Sequence, residues 1–177
     1  GPAGMTGSGP VVLRDAGPED AGAMADLNVR AWQAFFPGLV PQALIDGQRT
    51  EPRRHYWEEH LPSLLPASTW VAEQDGRVIG FAHLGPSRDP EVPAAAELHG
   101  MYVEPEAVGT GVGRRLMETT MGWLHSGPWA EAILWTLPGD HRAARFYRSW
   151  GWAPDGGAKT SHTPLGPLDE VRYRITL

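Results

Sequence analysis

The 177 residues correspond to about one domain of ordinary size, long enough to bury a core without cross-links. The absence of cysteine excludes disulfides, zinc ribbons, iron–sulfur sites and thiol nucleophiles. Fifteen basic residues against 21 acidic ones give a net charge of −6 with no basic run, so neither nucleic acid nor a membrane surface is the expected partner.

No apolar run approaches the ~18 residues of a membrane span, and no signal-peptide core is visible, so a cytoplasmic location is expected. Residues 1–9 read as a flexible arm or expression scar, with Met5 as a plausible native start, leaving 10–177 as a single domain. Val11-Val12-Leu13 reads as a first strand. Pro18 opens a helix whose stripe is Met24, Leu27, Ala31 and Phe35, and Pro37-Gly38 stops it. A short piece follows around Pro41 to Asp46. A second helix starts at Thr50 as N-cap, with Pro52 just inside, and runs to about Leu61. Thr69 to Glu73 and Arg77 to Ala82 flank Asp75-Gly76, a strong hairpin signal.

Pro86 to Pro93 reads as a loop and Glu97 to Val103 as a strand stopped by Pro105. A glycine-rich turn, Val108-Gly-Thr-Gly-Val-Gly113, leads into a helix with Gly113, Leu116, Met117, Thr120, Met121 and Leu124 on one face. Ala132 to Trp135 reads as a strand. Asp140 caps a last helix with the stripe Ala143, Phe146, Tyr147 and Trp150, which Gly151 ends. Pro154 to Pro167 reads as a long loop before a final strand, Val171 to Ile175. No internal repeat interrupts this order, which describes a mixed α/β domain.

The sharpest chemical signal is the glycine-rich turn between a strand and a helix. Small residues let backbone N–H groups converge on an anion, and the helix N-terminus adds about half a positive charge. A nucleoside-triphosphate loop needs a lysine after the last glycine, but the chain's single lysine is Lys159. A dinucleotide site needs Gly-x-Gly-x-x-Gly after a first strand, whereas Arg114 follows Gly113 here. Coenzyme A is the remaining phosphate-bearing class. The competing explanation is a turn that only packs a helix close to a strand. Arg114 and Arg115 oppose the helix dipole, which a bound anion would balance.

The run Met101-Tyr-Val-Glu-Pro-Glu-Ala-Val-Gly-Thr-Gly-Val-Gly-Arg-Arg-Leu-Met117 resembles the acetyl-CoA motif of the GNAT N-acetyltransferases. Asp140-His-Arg-Ala-Ala-Arg-Phe-Tyr-Arg-Ser-Trp-Gly-Trp152 is similar to their second motif, Asn-x-x-Ala-x-x-x-Tyr-x-x-x-Gly-aromatic. The likeness is to small actinobacterial members. It departs in two places: Val108 stands where the family has Arg or Gln, and Asp140 where it has Asn. The resemblance implies a mixed, mostly antiparallel central sheet flanked by helices, with acetyl-CoA as cosubstrate, an amine acceptor and no metal. It allows a homodimer. It also implies direct attack in a ternary complex, in keeping with a chain that has no cysteine to carry an acyl group. A non-catalytic acyl-CoA-binding module on the same fold and a nucleotide-binding protein are the alternatives.

The resemblance assigns cofactor contacts to Met101, Tyr102 and Val103, to Val108, Gly109, Thr110, Gly111, Val112, Gly113 and Arg114, and to Asp140, Ala143, Phe146 and Tyr147. It makes Tyr147 the general acid for the departing thiolate, although its apolar stripe equally suits a packing role. For the base, Glu97 and His99 fall on one strand face by period two, together with Met101. Glu97 leads, since the family often uses a strand carboxylate; His99 and His83 are the alternatives. Phe35 or Phe36 could wall the acceptor pocket. His55 and His60 are five apart, which is wrong for a shared metal, and neither His-Glu-x-x-His nor Gly-x-Ser-x-Gly occurs.

Overall fold

The computed structural model describes residues 7–61 and 68–177. Its elements run β1 (Val12–Asp15), α1 (Ala21–Phe35), α2 (Gln42–Asp46), α3 (Thr50–His60), β2 (Ser68–Gln74), β3 (Arg77–Pro86), β4 (Ala96–Val103), α4 (Val112–Ser126), β5 (Glu131–Thr136), α5 (His141–Ser149), β6 (Ala153–Thr163) and β7 (Gly166–Thr176). The strands form one seven-stranded sheet in the order β1-β2-β3-β4-β5-β7-β6. All neighbours are antiparallel except β4 and β5. The β2–β3 hairpin turns at Asp75 (φ 52°) and Gly76 (φ 75°), the two consecutive positive-φ positions that a tight hairpin turn requires.

Helices cover both faces. Leu116, Met117 and Leu124 of α4 pack with Ala82, Leu84 and Leu98 of the sheet, and α5 adds Ala144, Phe146 and Tyr147 to the same side, with Trp150 just past its end. On the other face Met24 and Leu27 of α1 and Trp57 of α3 pack on Val71 and Phe81. No helix among the described residues is long and apolar enough to cross a membrane.

Several sequence expectations change. The stretch read as a loop from Pro154 to Pro167 is mostly strand: β6 pairs with a longer β7 that begins at Gly166. Most of β6 is exposed, and its register shifts between Pro154 and Ala158, so no apolar alternation marked it. Thr50 opens α3 without capping it; its hydroxyl donates to Asp26 at 2.9 Å. Residues 1–6 of the expected arm lie outside the described residues, while the Gly9 carbonyl accepts a hydrogen bond from Gln74 at 2.8 Å.

Two buried ion-pair groups hold the ends of the central strands. Arg30 of α1 meets the buried Glu104, just past β4, at 2.6 Å. Arg172 of β7 is buried among Asp89 (2.8 Å), Glu91 (3.0 Å) and Asp155 (2.7 Å), joining the loop before β4 to the β6–β7 pair.

Candidate active site

The parallel pairing of β4 with β5 is short. It joins Ala96, Leu98 and Glu97 between them to Ala132, Leu134 and Ile133, and goes no further. Both strands continue, β4 to Val103 and β5 to Thr136, so they part beyond this point. The cause is visible on the other edge of β4. His83 of β3 is opposite Gly100, but Leu84 is opposite Leu98, leaving His99 as an extra residue. Such a bulge bends its strand and leaves ladder groups unpaired. The β4 edge from His99 to Val103 therefore has no β5 partner and can offer N–H and C=O groups to an extended ligand.

The bulge also corrects the period-two reading. Ala96 and Leu98 face the α4 side, and so do Met101 and Val103, because the extra residue shifts the phase by one. Tyr102 packs on the α1 side. Met101 is therefore not on the Glu97 face.

A cavity of about 470 Å³ occupies the parting of the strands. One end is the glycine-rich turn, through Val108, Gly109, Gly111, Gly113 and Arg114. Gly109 (φ 82°) and Gly111 (φ 92°) adopt left-handed backbone, and a Cβ built on either meets nothing within 4 Å. The space before the turn is thus open for a bulky anion. The first N–H groups of α4 have no carbonyl earlier in the helix to bond, and they lie at the positive end of its dipole. Thr110 and Val112 can contribute backbone only: the Thr110 hydroxyl donates to the Ala107 carbonyl, and Val112 is buried in the core. Arg114 pairs with Glu118 at 3.2 Å, and Arg115 donates to the Val11 carbonyl.

From α5, Asp140, Ala143, Phe146 and Tyr147 join the wall. The Asp140 carboxylate caps the helix by accepting from the Ala143 N–H at 3.1 Å, as its sequence position suggests. Burial, then the nearby Tyr102 and Asp140, push the Tyr147 phenol above its ordinary range, so it is held protonated. Met101, Tyr102 and Val103 complete the wall on β4.

The three candidate bases occupy different positions. His99 is part of the cavity wall, although its side chain is only 6% exposed; Glu97 is buried beside it, outside the wall, with Oε2 3.3 Å from His99 Nδ1. The other oxygen of Glu97 accepts from the Arg88 N–H at 2.8 Å. Burial raises the affinity of Glu97 for a proton, but His99 and that N–H outweigh it, and the carboxyl stays below its usual range. His83 is buried outside the wall, with Nδ1 2.7 Å from Thr69 Oγ1. Burial, then His99, Arg88 and His60, lower it to about 3.

The opposite side of the cavity is aromatic. Trp32 and Phe35 contribute from α1, Phe36 from just past its end, Trp135 from β5, and Leu168 and Glu170 from β7. Arg142 stacks over Phe35 at 3.8 Å. Sequence reasoning singled out Phe35 and Phe36 but missed Trp32, Trp135, Arg142, Leu168 and Glu170 as site residues. Arg142 lies inside the second motif, two residues after its capping Asp140. Leu168 and Glu170 follow the same alternation as Arg172, which could be read only once β7 was known to begin at Gly166.

The sequence and the fold are similar to those of known proteins. A profile described as an acetyltransferase (GNAT) domain matches residues 66–154, half of the chain. A probable N-acetyltransferase of Mycobacterium tuberculosis is 28% identical over 162 residues, covering 85% of this chain and 89% of that protein. An aminoglycoside N(6')-acetyltransferase type 1 of Stenotrophomonas maltophilia is 28% identical over 169 residues, covering 92% and 99%. The PaiA N-acetyltransferase of Thermoplasma acidophilum, solved in complex with coenzyme A, superposes with a TM-score of 0.75 at 16% identity, covering 95% of this chain and 99% of that one. The chain belongs to the GNAT acetyltransferase family and is an acetyl-CoA-dependent acyltransferase.

Proposed function

We propose that the protein transfers the acetyl group of acetyl-CoA to a primary amine of a small molecule or peptide, by direct attack within a ternary complex. The observation that carries this reading is one continuous cavity. It joins a helix start suited to an anion, an unpaired strand edge, a protonated phenol and a histidine backed by a carboxylate.

Acetyl-CoA supplies an activated thioester when bound. The backbone of Gly109 to Arg114 would hold its phosphates, and the β4 edge from His99 to Val103 its pantetheine arm. N–H groups of that edge can also donate to the oxygen that gains charge during attack. An alkylamine is mostly protonated at neutral pH, so a group must take its proton first. His99 fits that role, since it reaches the cavity, with Glu97 as the positioning residue behind it. Tyr147 would give its proton to the departing thiolate.

The test is free-thiol release from acetyl-CoA across a panel of amines. Initial rates with both substrates varied should intersect, and the protein's mass should not change. Parallel lines with an acetylated enzyme would contradict direct transfer. Binding of acetyl-CoA without turnover of any amine would favour a non-catalytic acyl-CoA-binding module.

A further inference from the structure

Lys159 is the one lysine of the chain. It stands on β6 directly opposite Glu170 of β7. Its Nζ lies 4.0 Å from Glu170 Oε1 and 4.2 Å from the centre of the Trp135 ring. Glu170 and Trp135 both line the cavity on its aromatic side. The chain thus sets a primary alkylammonium of its own against a carboxylate and an aromatic face at the edge of the acceptor space, the two features that recognise such a cation.

The carboxylates of this region are not equally occupied. Arg172 holds Asp89, Glu91 and Asp155 at 2.7–3.0 Å, with its side chain only 8% exposed. Glu97 is spent on His99 and the Arg88 N–H. Glu170 is paired with Lys159 by a long contact, and the Lys159 side chain is 46% exposed. Arg172 cannot leave without stranding buried carboxylates. Lys159 can swing into solvent on its flexible stem, taking its charge to water.

We propose that Glu170 and Trp135 form a cation subsite of the acceptor pocket, that Lys159 fills it in the free protein, and that an acceptor with a second ammonium group displaces Lys159. This rests on the acetyl-transfer reading above. The subsite suits an ammonium that does not react, because a carboxylate contact stabilises the charged form and the attacking amine must be neutral. It also lies away from His99: the strand order β4-β5-β7 sets Trp135 one strand and Glu170 two strands across the sheet. Because β4 and β5 part here, the separation exceeds the ~4.8 Å per strand of a paired sheet, a span suited to an aliphatic di- or polyamine.

Reductive methylation with carbon-13 formaldehyde labels Lys159 and the amino terminus while keeping their charge. The Lys159 methyl signal should be shifted upfield by the Trp135 ring, and Trp135→Leu should remove that shift. Cadaverine should move the signal to its solvent position, and Glu170→Gln should require about tenfold more cadaverine to do so. In steady-state assays Glu170→Gln should raise KM for cadaverine about tenfold while changing KM for n-pentylamine less than about threefold, with kcat little affected in both. Lys159→Met should lower KM for cadaverine. A Lys159 signal that stays in place at high cadaverine overturns the subsite, whatever the turnover. Displacement without thiol release from any amine supports the subsite and counts against the transfer reading instead.

Discussion

His99 and Glu97 meet beside the β4 bulge, with Nδ1 of one 3.3 Å from Oε2 of the other, and only His99 reaches the cavity. This geometry divides a role that the strand alternation left shared. A carboxylate beside Nδ1 orients the imidazole, leaving Nε2 as the nitrogen available to an acceptor. His99→Gln should therefore lower kcat/KM by roughly 10²–10⁴ at neutral pH, with the loss shrinking as pH rises and free amine accumulates. Glu97→Gln should cost less, lowering kcat with little change in KM for the amine. Equal losses in the two variants would contradict this division of roles.

Tyr147→Phe should fold as the parent does, because the ring keeps its place against the α4-side core. Turnover should fall roughly 10²–10⁴ with binding of acetyl-CoA unchanged, since only the proton donor is lost. Comparing kcat with the acetyl-CoA dissociation constant checks this. Activity within a few-fold of the parent would make Tyr147 a packing residue.

His83 links the site to acid stability. Its folded value of about 3 lies well below the ordinary histidine value of 6.5. Between these limits the unfolded chain binds the proton and the native one does not, so stability falls as pH drops. The slope is at most about 1.4 kcal/mol per pH unit from this residue. Asp20, Asp89, Glu97 and Asp155 are held below their usual range, so their stabilisation is lost only at lower pH, below about 4.5. Urea unfolding between pH 6.5 and 4.5 should give a steeper pH slope for the parent than for His83→Gln. Parallel curves would exclude His83 as the cause.

Arg172→Met should destabilise the protein by about 3–5 kcal/mol, because it leaves Asp89 and Asp155 with a buried charge and a missing partner. Denaturant unfolding at neutral pH measures this directly. A loss below about 1 kcal/mol would mean that the three carboxylates find water when the guanidinium is gone.

The glycine-rich turn was legible in the sequence because its signal is local: Gly109 and Gly111 stand where the backbone needs positive φ. The helix cap at Asp140 was legible for the same reason. The bulge at His99 was not, since it arises from pairing between β3 and β4, and period two carried Met101 to the wrong face. Nor was the aromatic side of the cavity. Trp135, Glu170 and Lys159 come from three strands, and their meeting depends on β6 pairing with β7, whereas the polar, exposed and glycine-rich residues of β6 read as a loop.

The central claim is that the cleft leading from the glycine-rich turn between β4 and β5 holds acetyl-CoA. Its most direct test is thermal unfolding with and without acetyl-CoA, on the parent and on Gly111→Val. Gly111 has φ 92° and open space before it, so valine strains the turn and intrudes where phosphates would approach. The variant's own melting temperature will be lower, so the quantity to compare is the ligand-induced shift. The account predicts a clear rise for the parent, corresponding to about 2.7 kcal/mol at a hundredfold excess over Kd, and none for Gly111→Val. NAD and ATP should shift neither. An undiminished acetyl-CoA shift in Gly111→Val would contradict the account.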